Sequence, residues 1–170
     1  MTNFNDYKIG VDNNLLELGN SDENRQLATA MVLQSRYTLE IISRLLEPVI
    51  FNTTEFIDAL RLMITGNRQP KIRIIVFDPE TIVRNGHRLV DFAGSLTSFI
   101  EMRKAGREFH GYNECLLLAD NTAYIHRENG ERFEATANFN DKRQSKFYLD
   151  DFENMWAAAL PDPNLRRFSI

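Results

Sequence analysis

Lys71–Phe77 carries apolar side chains at both odd and even positions, namely Ile72, Ile74, Ile75, Val76 and Phe77. A strand that is apolar on both faces must be covered on both sides, which calls for helices above and below a sheet. Asp78-Pro79 stops the run, so it reads as a central strand. Before it lies a second strand signal, Tyr37–Ser43, with Leu39 and Ile41 on one face and Ile42 on the other. Between the two, Asn52-Thr-Thr-Glu55 has capping-box spacing and opens a helix through Phe56, Leu60, Met63 and Ile64, which Gly66 would close. Strand, helix and strand in this order predict a right-handed β-α-β crossover. The fold class expected is α/β, a mixed and mainly parallel sheet flanked by helices.

The other elements follow from pattern. Residues 1–22 read as a loose N-terminal arm that Leu15, Leu16 and Leu18 can pin to a groove, and residues 23–170 as one domain. Ser21 or Asp22 is placed to cap a helix over Glu23–Arg36. A loop is expected after Pro79, then a helix from His87 burying Leu89, Phe92, Ala93 and Leu96, and a strand over Ser98–Arg103. Cys115–Ala119 and Thr122–His126 flank Asp120-Asn121 as a hairpin, with Asp120 fixing the turn. Residues 127–143 read as irregular. The last helix, Lys146–Leu160, has Phe152, Met155, Trp156 and Ala159 on one face and Asp150 and Asp151 near its start.

Composition narrows the function classes. A net charge of −4 does not support a duplex-DNA binder, although it leaves room for a local basic patch. The single Cys115 cannot form an internal disulfide, and no signal peptide or membrane-length apolar run is visible, so a cytoplasmic protein is expected. Three His and one Cys lack metal-ligand spacing, and nothing calls for a cofactor.

The run Asn113-Glu-Cys-Leu-Leu-Leu-Ala-Asp120 resembles the catalytic strand of phospholipase D-like phosphodiesterases. Those proteins carry a nucleophilic His, a Lys two residues later and an Asp five residues after the Lys. Here Asn113 stands for the His and Cys115 for the Lys, while Asp120 remains. Further on, the family's Gly-Ser-x-Asn is matched only at Asn129, with His126 and Arg127 in place of Gly and Ser. The strings Phe77-Asp-Pro79, Gly86-His-Arg-Leu-Val90 and Leu160-Pro-Asp-Pro-Asn-Leu-Arg-Arg167 are similar to those of an uncharacterised bacterial family of phospholipase D-like domains, some fused to acetyltransferase domains. The resemblance implies half of a phospholipase D-like fold, without the usual reaction. Asn cannot form a phospho-enzyme bond, and a neutral Cys cannot hold a phosphate oxygen as an ammonium does.

The expected function is therefore a non-catalytic domain binding an anionic small molecule, a nucleic-acid end or a protein partner, with a homodimer as one arrangement. An active phosphodiesterase with displaced residues, His110 serving as nucleophile, and a purely structural interaction module are the alternatives. Candidate ligand residues are His87, Arg88, Arg103 and Asn113. His87 can equally cap its helix or bond Asp78, and His126 reads as a strand residue facing solvent or a neighbour. Cys115 reads as a small buried hydrophobe. The basic groups Arg103-Lys104-Arg107 and Lys142-Arg143-Lys146 can hold phosphates only if the fold makes them converge, with Phe109 or Tyr112 for base stacking.

Overall fold

In the computed structural model, which describes residues 3–166, Lys71–Val76 forms strand β3 and both its faces are buried. Ile72, Ile74 and Val76 enter the larger of two apolar cores, and Ile75 enters the smaller. Met1 and Thr2 of the expected arm, and Arg167 of the tail string, lie outside the described residues. The larger core packs α1 (Ser21–Gln34), α2 (Pro48–Phe51), α3 (Thr54–Gly66), α4 (Pro79–Asn85) and α5 (Arg88–Gly94) on one face of the sheet. The smaller core packs α6 (Lys142–Ala158) on the other, through Phe152, Met155 and Trp156. The result is an α/β fold with a mixed sheet between helices.

The strands are β1 (Leu16–Leu18), β2 (Thr38–Ile42), β3, β4 (Ile100–Lys104), β5 (Cys115–Ala119), β6 (Ala123–Arg127) and β7 (Ala135–Asn138). They order as β1-β7-β6-β5-β2-β3-β4. Two expectations need correction. β3 is interior but next to last, because β5, β6, β7 and β1 all add on the far side of β2. Only the β2-β3 and β3-β4 pairings are parallel, and the other four are antiparallel. No helix separates β5, β6 and β7, so the chain can only double back through them.

Local chemistry also shifts several boundaries. Asn20, not Ser21, caps α1, its Oδ1 accepting from Glu23 N at 2.8 Å. Thr53 Oγ1 caps α3 by accepting from Phe56 N, one residue later than the spacing suggests. Asn52 turns instead to α5, where its Oδ1 accepts from Arg88 N at 3.0 Å. Gly66 stays helical, and Asn67 Nδ2 closes the end by donating to Met63 O. The loop expected after Asp78 contains α4, with Asp78 as cap and Pro79 in the first helical turn. α6 starts at Lys142 under Asp141, which places Asp150 and Asp151 in mid-helix. The region 127–143 contains β7, and the expected arm contains β1 paired to it, with Phe4 and Leu18 buried in the larger core.

One charged row lies across the α6 face. Glu40 on β2 is opposite Arg73 on β3, and the Arg73 guanidinium stands 3.6 Å from Glu40 but 2.5 Å from Glu153. Both Glu40 carboxylate oxygens are buried without a hydrogen-bond partner. Burial pushes the Glu40 carboxyl up to about 7, against the pull of Arg73. The folded chain therefore holds a proton there that the unfolded chain has released. This contribution to stability is present in mild acid, below the ordinary carboxylate value, and is lost as pH rises through about 7. Glu40→Gln should remove that slope and be more stable than the wild type in mild alkali, by on the order of 3 kcal/mol. Parallel urea melts of both proteins across this range, with identical pH slopes, would contradict the assignment.

Candidate functional site

The residues of the catalytic-strand motif meet where β2 ends and β5 begins. Asn113 precedes β5, Cys115 opens it, and Arg127 closes β6 directly opposite Cys115. Asn113 Nδ2 donates to Asn129 Oδ1 at 3.2 Å. Gly130 N donates to Asn113 O. A Cβ on Gly130 would stand 3.0 Å from that oxygen and 3.2 Å from Cys115 Sγ, so a side chain there would push the loop away from the motif by a few tenths of an ångström.

Arg127 is buried, and its guanidinium is paired with Glu47 from the loop after β2. Ser43 Oγ donates to the other Glu47 oxygen at 2.7 Å. Arg127 also donates to Arg132 O and lies over Phe133. Burial, with the Glu47 charge nearby, pushes the Cys115 thiol up to about 12, so it stays protonated and unreactive. Relative to the motif it resembles, the site has lost the cation on β5 and gained one on β6, already neutralised. Ser43 and Glu47 escaped the sequence reading. The one available signal was an arginine where the motif has a serine.

An open cleft of about 620 Å³ lies over these groups, lined by Arg44, Leu45, Glu47, His110, Asn113, Glu114, Cys115 and Glu131. Arg44 is committed elsewhere, donating to His110 O and Tyr112 O and stacking over Phe77. Glu114 Oε1 accepts from His126 Nε2 at 2.7 Å, and the His126 ring stacks on Tyr148, so His126 faces neighbours and is buried.

Of the four candidate ligand residues, only Asn113 lines this cleft. His87 is 4% exposed, with Nδ1 accepting from Leu89 N and Nε2 against Leu46 O at 2.9 Å. It caps α5 and supports the loop bearing Glu47, and burial holds its pKa below the ordinary value. It makes no bond to Asp78, which caps α4. Arg88 donates to Asn52 O. Arg103 lies on the α6 face, donating to Glu101 and Trp156 O with its guanidinium 4.1 Å above the Trp156 ring.

Asp120 sits at the other end of β5. Its carboxylate accepts from Arg36 N, Tyr37 N and Thr38 N at 2.9, 2.7 and 3.0 Å. It thus clamps the entry to β2, which corrects the turn-fixing role. The turn itself stands on Asp120 and Asn121, both in the left-handed region at φ +52° and +53°. The two basic groups do not converge. Arg103 meets the last turn of α6 at Trp156, while Lys142 begins the helix about 21 Å away. Tyr112 stacks on Phe77 and is not free for a base. Among the described residues, no group of three or more His, Cys, Asp or Glu is placed to hold a metal ion, and no helix is long and apolar enough to cross a membrane.

The model of DUF7931, a domain of unknown function, matches residues 20–168. The chain belongs to this family. Comparison with curated protein sequences gives no match. In structure it is similar to Nuc from Salmonella typhimurium, a phospholipase D family member, at TM-score 0.61 and 14% identity over 86% of this chain and 95% of that one. NucT from Helicobacter pylori gives 0.60 and 12% identity, over 88% of this chain and 98% of that one. TrmBL2, an archaeal chromatin protein with a described mode of DNA binding, gives 0.64 and 14% identity over 89% of this chain. The chain spans only 54% of that protein's length. At such identities the likeness is one of fold, and the fold is phospholipase D-like.

Proposed function

We propose that this chain is a non-catalytic phospholipase D-like domain that works as a binding module, its remnant cleft receiving a basic segment of a partner protein. The observation that carries the reading is the state of the motif positions. Asn113 is bonded to Asn129, the Cys115 thiol is protonated, and the relocated cation Arg127 is held by Glu47. An entering anion would find no uncommitted arginine at the floor and would face Glu47, Glu114 and Glu131. A lysine-bearing segment meets those carboxylates favourably, and Leu45, 42% exposed on the cleft wall, offers an apolar foothold beside them.

Two measurements test this. Bis(p-nitrophenyl) phosphate and short oligonucleotides should show no turnover above a protein-free blank. Turnover that disappears in His110→Ala would make His110 a nucleophile and end the non-catalytic reading. A fluorescent Lys/Leu peptide should bind the wild type and lose about tenfold in affinity against Glu114→Gln/Glu131→Gln. Equal binding to both proteins would sink the peptide site.

A further inference from the structure

At the opposite end of β5 from Asn113 lies a second cleft, of about 670 Å³, lined among others by Lys8, Arg36, Tyr37, Thr122 and Lys142. It brings together three cations from three separate parts of the chain. No ion pair among the described residues engages any of them. Lys8 Nζ only touches Asn5 O. The carboxylates nearby are occupied with backbone N–H groups: Asp120 with those of residues 36–38, Asp12 with Lys8 N, and Asp141 with Gln144 N. Asp120 also lines the cleft, but its carboxylate is turned to those backbone N–H groups, and the three cations outnumber it there.

Helix stability does not account for this placement. Lys142 and Arg143 occupy the first turn of α6, which holds no acidic residue. There they oppose the helix dipole, which favours anions at that end. The dipole and the three cations instead bear on the same cleft, against one lining carboxylate, Asp120. Tyr37 stands on the same rim with 67% of its surface exposed. Because Asp120 fixes the backbone of Arg36 and Tyr37, both side chains project from a rigid frame, which lowers the ordering cost of binding.

We propose that this cleft binds a phosphorylated nucleoside, the phosphate on Lys8, Arg36 and Lys142 and the base stacked on Tyr37. A free nucleotide and one unit of a single-stranded nucleic acid present the same chemistry. The site is separate from the remnant cleft and does not depend on how that cleft is used.

The test is fluorescence anisotropy with a short labelled oligothymidylate at low salt, competed with AMP and with inorganic phosphate. The oligonucleotide should bind, weaken as salt rises, and lose at least about tenfold in affinity in Arg36→Glu/Lys142→Glu. Tyr37→Ala should weaken the oligonucleotide and AMP while leaving competition by inorganic phosphate unchanged. Displacement by AMP identifies a nucleotide site, and failure of AMP to compete identifies a strand of nucleic acid as the source. Arg84→Glu, an exposed charge reversal on α4, should change nothing. The proposal fails if neither probe binds, if the double variant binds normally, if Arg84→Glu weakens binding equally, or if Tyr37→Ala has no effect. Glu114→Gln/Glu131→Gln should leave this binding intact, so the two clefts can fail independently.

Discussion

Ile74→Asp should yield no folded protein. Ile74 is fully buried, pairs in register with Ile41 and Met102, and faces the larger core. The substitution removes a core side chain, worth about 2–5 kcal/mol, and introduces a carboxylate into an apolar core. The two together approach or exceed the roughly 5–15 kcal/mol by which domains of this size are stable. Ile74→Val, which trims only one methyl group, should cost about 1 kcal/mol and melt cooperatively. Soluble yield and circular-dichroism melts of the pair check this. A cooperatively melting Ile74→Asp variant near the wild-type temperature would mean that β3 is not buried on both faces.

Glu47→Ala should be the most damaging change at the remnant cleft. It leaves the Arg127 guanidinium, 3% exposed, with Arg132 O and the Phe133 ring but without its carboxylate partner. Removing one partner of such a pair costs about 3–5 kcal/mol, which for a chain of this length lowers the melting temperature by about 6–20 °C. Adding Arg127→Met should restore most of the loss, since the buried charge then no longer needs an acid. A scanning-calorimetry comparison decides it. If Glu47→Ala melts like the wild type, or the double variant is worse than the single, the pair is not what holds the loop to β6.

The sequence was most readable where side chains alone dictate burial. β2, β3 and β5 are dense in branched apolar residues, and the faces assigned to Leu39, Ile41 and Ile42 are the faces found. β7, Ala-Thr-Ala-Asn, and the three-residue β1 carry almost no strand propensity, and their pairing with neighbours makes them strands. The position of β3 in the sheet depends on which side of β2 the hairpin docks, and no local pattern encodes that. The site was read less well for a related reason. His87 is satisfied by Leu46, Arg103 by Trp156 and Arg127 by Glu47, each distant in the chain. A polar residue whose partner is remote looks, in sequence, like one awaiting a ligand.

β1 has a consequence for anyone who trims this chain. The family match begins at residue 20, whereas β1 ends at Leu18. Cutting at the family boundary would remove the strand whose backbone covers the outer side of β7, along with Phe4 and Leu18. β7 would then present bare N–H and C=O groups along Ala135–Ala137, a short, flat template onto which another chain can add a strand. A fragment starting at residue 20 should therefore self-associate, although it keeps every residue that lines the remnant cleft and loses only Lys8, Ile9 and Gly10 from the second.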